Sequence, residues 1–396
     1  MNTSAAPIRE SERLSWIDAA RGLAILGIFM VNVPAFNAPY FLYGGESEYW
    51  TSSVSHTVQS IIDIFFQASF YTLFSFMFGF GMQMMKDRLE EKQVAYRPVI
   101  FRRLLILIGF GLVHAFLIWH GDILLSYGTL GLLLFVFFNA SPKTLLLWSY
   151  TMLALLVLPL TLLLFTIRGQ FGGMVDHAAI QQAVGNYSEG HLLAIWQQNL
   201  TDWLYAHQVG NLPFLALSLL PMFLLGMYVC KKHWLHDPDT HRRSIIKVWL
   251  VTGVLFLSFK AGPYMFGNPE WFGLAQDNIG GTASAIFYVL SITLLFRTKI
   301  GSKIAYPLTW IGRMSLSNYI FQSIISFFIF YSVGLGLYGK VTPLWSVIFV
   351  IVVFSIQILA SKLWLHHFKY GPLEWLWRSL TYNKKQPFRR KTKDVF

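Results

Sequence analysis

The sequence predicts an all-α fold, a polytopic transmembrane helix bundle of about ten spans with the N-terminus and the C-terminus in the cytoplasm. Hydrophobic residues make up 55% of the 396 residues and charged residues only 13%, roughly half the charged share of an ordinary soluble domain. Apolar runs of bilayer length recur along the chain, and the basic residues fall on alternate segments between them. These observations exclude a soluble globular protein.

Ten apolar runs approach the length of about 20 residues that a helix needs to cross the hydrocarbon core of a bilayer. The runs are 16–36, 60–85, 103–119, 122–139, 144–167, 211–230, 244–262, 280–297, 312–334 and 344–367. Each span must be helical, because no water is present to satisfy its backbone N–H and C=O groups. The first run is too long and too charged for a cleaved signal peptide, so we expect it to stay as a span.

The distribution of Lys and Arg predicts the orientation of the bundle. All but five of the 31 basic residues lie before the first run, after the last run, or in and beside the segments that follow the even-numbered runs. Basic residues beside spans mark the cytoplasmic side. The net charge of +12 is therefore expected to face anionic lipid of the inner leaflet, and no nucleic-acid partner is expected.

The chain is predicted to hold one transmembrane domain, 16–367, between a cytoplasmic N-terminal segment, 1–15, and a basic cytoplasmic tail, 368–396. Two outer loops are large, about 37–59 and about 168–210. The later half of the second loop has the pattern of an amphipathic helix in the membrane interface. The single cysteine excludes an internal disulfide and any cysteine-based metal or redox motif. A homo-oligomer is left open.

Several polar residues lie inside the first two spans, where ionisable groups are costly and are often functional. Asp18 and Arg21 are three residues apart, so they share one helix face and can pair. Asn32 lies near the outer end of the same helix, and Asp63 lies in the second span. A structural ion pair and a functional site are both open for Asp18 and Arg21.

The third span and its exit carry the densest set of candidate site residues. Arg102 and Arg103 lie at its inner end, and His114 lies about 17 Å farther along the helix. A tight turn then brings Asp122 to the head of the next helix, with Tyr127 one turn later. A carboxylate beside an imidazole fixes its tautomer and stabilises the imidazolium, as a general base requires. A structural histidine is the alternative.

Other chemistries find less support in the sequence. His114, His120, Asp122 and His56 could supply zinc ligands, but no pair has the i, i+4 spacing of a zincin, and no metal is predicted. No Gly-x-Ser-x-Gly motif and no phosphate-binding glycine loop occurs.

Two amides in the ninth span form a polar stripe. Asn318 and Gln322 lie at i, i+4 on one helix face. They could join helices or line a passage for a substrate.

Five segments together resemble the YeiB-like family of bacterial multi-span membrane proteins. They are WIDAARGLAILGIFMVN from Trp16, FSFMFGFG from Phe74, RRL…GLVH…GDIL…YG from Arg102, IGRMSLSNY…QS from Ile311 and FKYGPLEWLWRSLTY from Phe368. The resemblance covers nearly the whole chain and implies a multi-pass protein of the bacterial cytoplasmic membrane.

The Asp-x-x-Arg-Gly pattern of the first helix is also distantly similar to that of the transmembrane acyltransferases. These include heparan-α-glucosaminide N-acetyltransferase and the bacterial O-acyltransferases of surface sugars. The resemblance implies transfer of an acyl group from cytoplasmic acyl-CoA to an acceptor on the far side of the membrane. The bacterial enzymes have a histidine where this chain has Asn32. The glucosaminide enzyme has a histidine in the next outer loop, where His56 is the candidate here.

An acyltransferase would use these residues as follows. Arginine suits phosphate binding, so Arg102, Arg103, Arg313 and Arg21 would hold the phosphates of acyl-CoA. His114 with Asp122 would deprotonate the acceptor, with His56 as the reserve base.

Polar side chains would complete the site. Asn32, Asn318 and Gln322 would stabilise the thioester oxyanion. The acceptor would be a small molecule or glycan, such as an envelope sugar or lipid.

Two other functions stay open. A transporter or flippase would use Asp63, His114 and Asp122 as an intramembrane proton relay. In a structural or assembly protein the same residues would only pack.

Overall fold

The computed structural model describes residues 10–170, 175–208 and 211–390. Within these ranges the chain is helical and holds no β-strand, only an isolated bridge between Phe368 and Arg389. The predicted all-α fold is confirmed. The remaining residues of the predicted terminal segments and of the second outer loop, namely 1–9, 391–396, 171–174 and 209–210, lie outside the described residues.

The described residues form nineteen α-helices, of which nine lie in the first half of the chain. They are α1 Ser15–Asn37, α2 Tyr40–Tyr43, α3 Glu46–Tyr49, α4 Ser53–Phe65, α5 Ser69–Glu91, α6 Tyr96–Leu117, α7 Leu124–Gly131, α8 Leu134–Phe137 and α9 Pro142–Thr166. The second predicted run is interrupted between α4 and α5, where Ala68 takes a positive φ of 61°.

The second half forms ten more. They are α10 His177–Ser188, α11 Leu192–Ala206, α12 Leu212–Lys231, α13 Arg242–Phe256, α14 Gly273–Ala275, α15 Gly281–Leu295, α16 Lys299–Arg313, α17 Ser315–Phe330, α18 Pro343–His367 and α19 Pro372–Thr381. Two π-helical segments, Leu257–Ala261 and Gln276–Gly280, continue α13 and precede α15.

Eight helical stretches of the described chain are long and apolar enough to cross a membrane. They are Ser15–Asn37, Ser53–Glu91, Tyr96–Leu117, Pro142–Thr166, Leu212–Lys231, Arg242–Phe266, Glu270–Leu295 and Pro343–His367. The predicted ninth run is the shorter apolar helix α17, and the predicted fourth run is divided between α7 and α8. The chain is thus a helical membrane protein, while ten spans and two cytoplasmic termini stay predictions.

Helix α1 lies at the centre of the bundle and contacts α5, α15, α16, α17 and α18. Small residues let the neighbouring backbones come close to it. A Cβ atom added to Gly22 would lie only 2.0 Å from the carbonyl oxygen of Leu308 in α16. This central position makes α1 one wall of each of the cavities described below.

Helix α11 lies in the predicted outer amphipathic segment, but three of its polar residues face the interior of the protein. Gln198, Asn199 and Asp202 are all buried, while Leu193, Leu200 and Leu204 are exposed. A helix that turns its amides and its carboxylate inward must satisfy them with protein groups. This arrangement places the Asp202 carboxylate in the interior, at the candidate active site described below.

Candidate active site

Three cavities follow one another along α1. We call them the inner, middle and outer chambers, from the N-terminal to the C-terminal end of α1. On α1, Asp18, Arg21, Ile25 and Ile28 line the inner chamber. The next residues line the other two, namely Ile28, Val31, Asn32 and Ala35 in the middle chamber and Val31, Pro34 and Asn37 in the outer chamber.

Adjacent chambers share walls. Ile28, Ile123 and Tyr319 line both the inner and the middle chamber. The middle and outer chambers have four lining residues in common, Val31, Ala38, Phe41 and Gln67. The cavity volumes are about 210, 260 and 470 Å³ from inner to outer. The chambers therefore form one row through the bundle, separated by a few side chains.

The inner chamber is strongly basic. Six arginines and two carboxylates line it, namely Arg13, Arg21, Arg88, Arg103, Arg313 and Arg378 with Asp18 and Glu374. Arg13 makes a bidentate ion pair with Asp18, at 2.9 and 2.8 Å, and Arg21 lies 3.5 Å from the same carboxylate. This excess of guanidinium groups suits a ligand with several negative charges.

Crowding of the cations is visible in an arginine outside the predicted spans. Burial, and after it the nearby charge of Arg13, lowers the pKa of Arg378 in α19. A bound polyanion would relieve both effects, because it would replace lost hydration and offset the like charges.

The predicted arginine pair divides between two environments. Arg103 lines the inner chamber, and its guanidinium carbon lies 3.6 Å from the ring centroid of Trp377. Arg102 lies on the same helix but lines none of the three chambers. The two other predicted anion-binding residues, Arg21 and Arg313, do line the inner chamber.

Glu374 of α19 closes the inner chamber by capping α17. Its carboxylate accepts hydrogen bonds from the backbone N–H groups of Leu316 (2.7 Å) and Ser317 (3.0 Å), and from the Ser317 hydroxyl (2.5 Å). These N–H groups belong to the first turn of α17, which has no intrahelical acceptor for them.

Replacement of Glu374 by Ala should therefore lower the free energy of unfolding by about 1–2 kcal/mol, the usual effect of a lost N-cap. The measurement is the unfolding midpoint of purified protein in detergent. Glu91→Ala, at an exposed glutamate near the end of α5, is the control and should change stability by less than about 0.5 kcal/mol. Equal losses in both variants would contradict the capping role.

His114 is enclosed in the interior of the bundle. It is 0% exposed. Its Nδ1 lies 2.8 Å from Oδ1 of Asp122, and its Nε2 lies 2.8 Å from Oγ of Ser323 in α17. The structure thus brings His114 and Asp122 together and adds Ser323, which the sequence did not single out as a partner. Neither His114 nor Asp122 lines any of the three chambers.

A second histidine–carboxylate pair faces the middle chamber. His120 and Asp202 both line it, and Nδ1 of His120 lies 3.4 Å from Oδ2 of Asp202. The sequence offered His120 only as a candidate metal ligand. Asp202 could not be found from spacing, because it lies 82 positions later in a segment expected to face the interface.

The chain has relatives that match it over nearly its full length. It is 36% identical to the uncharacterised protein YxaH of Bacillus subtilis over 405 aligned residues, which cover 99% of this chain and all of the relative. It is 30% identical to the uncharacterised protein YeiB of Escherichia coli, over 96% of this chain and 99% of the relative. The chain belongs to the YeiB-like family.

The family model that matches is described as a protein of unknown function, DUF418, and it covers residues 229–384. A third relative, an uncharacterised 39.9 kDa protein of Bacillus acidopullulyticus, is 26% identical over 96% of this chain and 97% of its own length. No solved structure matches the chain. The expected family is confirmed, and the relatives named here are bacterial.

The polar stripe of α17 in this YeiB-like protein contacts α18. Nδ2 of Asn318 donates to Oγ of Ser361 (3.1 Å), and Nε2 of Gln322 donates to Oε1 of Gln357 (2.9 Å). Of the two open interpretations, the joining of helices fits these contacts. Neither amide lines a chamber, whereas Asn32 lines the middle chamber.

Tyr127 lines the inner chamber. Its hydroxyl donates to the carbonyl oxygen of Tyr71 (2.7 Å) and lies 2.8 Å from Oγ of Ser75. These bonds fix the ring as a rigid part of the chamber wall.

Asp63 lines the outer chamber beside a buried lysine. Its carboxylate lies 3.2 Å from Nζ of Lys260 and accepts hydrogen bonds from Tyr264 (2.7 Å) and Gln276 (2.8 Å). Lys260 also lies 2.8 Å from Oδ1 of Asp277. The sequence analysis singled out Asp63 but neither Lys260 nor Asp277, since nothing local relates residues so far apart.

His56 is exposed and lines the outer chamber. Among the described residues, no group of three or more His, Cys, Asp or Glu side chains is arranged to hold a metal ion.

Proposed function

We propose that this protein is a transmembrane acyltransferase, which moves an acyl group from cytoplasmic acyl-CoA to a hydroxyl or amine of an acceptor on the outer side of the membrane. The observation that supports it is the row of chambers along α1. The row begins among arginines and continues past Ile28 and Tyr319 to the polar residues Asn32 and His120.

The inner chamber suits the nucleotide end of acyl-CoA. Coenzyme A carries a diphosphate and a further phosphate, and guanidinium groups bind phosphate oxygens through paired N–H donors. The basic segments place this end in the cytoplasm if the chain has ten spans and both termini inside. Helices α16 and α19, which supply Arg313 and Arg378, would then lie at the cytoplasmic face with anionic lipid around them.

The apolar part of the inner chamber suits the pantetheine arm and the acyl group. Its walls are mainly apolar and aromatic, with Phe74, Met77, Phe78, Leu107, Ile123, Leu124 and Tyr127. An apolar channel excludes water and accommodates the uncharged thioester arm. The thioester carbonyl would then reach the boundary that Ile28, Ile123 and Tyr319 form with the middle chamber.

In the reaction, the acceptor oxygen or nitrogen attacks the thioester carbonyl carbon and loses its proton to a base. The C–S bond breaks, and the thiolate takes up a proton to leave as free CoA. A donor such as the amide of Asn32 would stabilise the oxyanion. His114, held between Asp122 and Ser323, has no free ring nitrogen in this arrangement, so it would act on the acceptor only through Ser323. The acceptor itself would be an envelope sugar or lipid.

Binding of acetyl-CoA to Arg103→Gln and Arg102→Gln variants tests the proposal. The two arginines are adjacent in sequence, but only Arg103 lines the inner chamber. We expect saturable binding by the wild type, a loss of at least about tenfold in affinity for Arg103→Gln, which is about 1.4 kcal/mol, and a change within about twofold for Arg102→Gln. Isothermal titration in detergent gives the dissociation constants.

Three outcomes would count against the proposal. Absence of saturable acetyl-CoA binding by folded wild type would remove it. Equal weakening by both substitutions would show that the interaction is diffuse charge attraction and not a site. Binding without any release of CoA, in water or with an added acceptor, would leave a nucleotide-binding protein that is not an acyltransferase.

The contacts of Lys260 favour a transporter as the second candidate. Lys260 is a buried cation between Asp63 and Asp277, and Lys260 and Asp277 both lie in π-helical segments. Paired ionisable groups inside a membrane often belong to proton relays. Proton-coupled solute flux into liposomes, without any acyl-CoA and abolished by Asp63→Asn, would support it. Replacement of His114 should then change flux; in a purely structural protein it would change stability alone.

A further inference from the structure

We propose that His120, oriented by Asp202, is the general base that takes the proton from the acceptor. This inference rests on the proposed acyltransferase function and names the residue that would contact the reacting atoms. His120 lines the middle chamber. This chamber lies between the inner chamber, where acyl-CoA would bind, and the outer chamber. It is 8% exposed, and its Nδ1 lies 3.4 Å from the Asp202 carboxylate.

Asp202 is held firmly enough to orient an imidazole. It is 1% exposed and accepts hydrogen bonds from the hydroxyl of Tyr43 (2.7 Å), the hydroxyl of Tyr187 (2.7 Å) and the amide of Gln198 (2.6 Å). These contacts come from α2, α10 and α11, so three helices fix one carboxylate. With three donors on its two oxygens, the carboxylate has a fixed orientation, and Oδ2 faces Nδ1 of His120.

The other imidazole nitrogen is the one that can react. With Nδ1 directed at Asp202, Nε2 of His120 has no hydrogen-bond partner among the described residues. An imidazole that lines a cavity, with one nitrogen beside a carboxylate and the other nitrogen without a partner, has the arrangement expected of a general base. His114 lacks this property, since both of its ring nitrogens are already bonded.

Burial of His120 favours its neutral form, which can accept a proton. Burial lowers its pKa, the carboxylate of Asp202 opposes this shift, and the nearby imidazole of His207 adds to it. The hydroxyl of Tyr187, 3.5 Å from Nδ1, is the remaining titratable group facing the ring. The pKa of His120 is therefore lowered from the usual histidine value of about 6.5, which favours the free base at neutral pH.

The outer chamber gives the acceptor a route to His120. It adjoins the middle chamber at Val31, Ala38, Phe41 and Gln67. Its lining includes three carboxylates, Glu46, Asp63 and Asp277. Asp63 and Asp277 both pair with Lys260, whose single positive charge offsets only part of this negative charge. A chamber of this charge disfavours an anionic acceptor and admits an uncharged or cationic one. The acceptor class is therefore a neutral alcohol or an amine.

The chemical step balances within these groups. As the acceptor oxygen or nitrogen forms its bond to the thioester carbon, its proton passes to Nε2 of His120. The imidazolium that results is stabilised by Asp202. Collapse of the tetrahedral intermediate breaks the C–S bond, and the proton passes from His120 to the sulfur, so free CoA leaves and neutral His120 is restored.

The test uses His120→Gln and Asp202→Asn in the full-length protein, with His177→Gln at an exposed histidine of α10 as the control. Acetyl-CoA is the donor, and water or glucosamine is the acceptor. We expect kcat for CoA release to fall by at least about 100-fold for His120→Gln, within the usual range for a general base, while the acetyl-CoA dissociation constant changes by less than about twofold. Asp202→Asn should lower kcat less, and His177→Gln should not change it.

The pH profile separates a base from a structural residue. The wild-type rate should rise with pH through an apparent pKa below 6.5 and then level off, and His120→Gln should lose this inflection. Turnover by His120→Gln that keeps the wild-type rate and inflection would overturn the role of His120 and leave the acyltransferase intact. No acetyl-CoA binding, or no CoA release with either acceptor by the wild type, would overturn both proposals. Retained donor binding shows in each variant that the fold is preserved.

Discussion

Lys260→Met is expected to lower the free energy of unfolding by about 3 kcal/mol. Lys260 is 0% exposed and pairs with Asp63 at 3.2 Å and with Asp277 at 2.8 Å. Removal of one partner of a buried pair costs about 3–5 kcal/mol, because the remaining charge is left uncompensated. The two carboxylates keep 27% and 37% of their side-chain area exposed, so water can reach them and the lower end of the range applies. Denaturant titration in detergent gives the value.

Two further variants show whether charge is the cause. Lys340→Met removes an exposed lysine near the start of α18 and should change stability by less than about 0.5 kcal/mol. The double variant Lys260→Met/Asp277→Asn removes the repulsion between the carboxylates and should recover part of the loss. If the double variant were no more stable than Lys260→Met, the loss would come from packing of the lysine stem and not from the ion pairs.

The membrane character of the fold followed from the sequence because it depends on local pattern alone. A span needs a sustained apolar run, and every long helix of α1, α5, α6, α9, α12, α13, α15 and α18 overlaps one of the predicted runs. The divided fourth run was not predictable. Its residues are as apolar as those of a continuous helix, but α7 ends at Gly131 and a turn precedes α8.

The sequence correctly predicted the contacts between residues that are close to each other in the chain. Asp18 and Arg21 are one helix turn apart, and His114 and Asp122 are joined by a single tight turn. Short spacing limits the possible geometries, so helix periodicity and a turn were sufficient. The ion pair of Asp18 nevertheless also involves Arg13, at the start of the chain, which periodicity did not indicate.

The contacts of the remaining site residues depend on which helices pack against each other. The local pattern of a single sequence does not reveal this packing. Arg102 and Arg103 look equivalent in the sequence. Of the two, only Arg103 stacks on Trp377 of α19. His120 finds Asp202 across an outer segment. Two signals were nevertheless present. Asp202 is a carboxylate within an otherwise amphipathic helix, and Lys260 is a lysine inside an apolar run.

Gly111→Ala is expected to lower the free energy of unfolding by about 3 kcal/mol, the upper end of the usual cost of overpacking. A Cβ atom at this position of α6 would lie 2.4 Å from the backbone nitrogen and 2.6 Å from the Cα of Leu125 in α7. Backbone atoms cannot rotate aside as a side chain can, so α7 must move away from α6. That movement would also strain the bond between His114, one turn later in α6, and Asp122 at the head of α7.

Gly109 provides a control two residues earlier on the same helix. No described atom lies within 4 Å of a Cβ added there, and the position is exposed. Gly109→Ala should therefore leave stability unchanged or raise it by up to about 1 kcal/mol, through the higher helix propensity of alanine. Thermal unfolding in one detergent compares the two variants. Equal stability of both would mean that α6 and α7 are not in backbone contact, and the position assigned to Asp122 beside His114 would then fall with that contact.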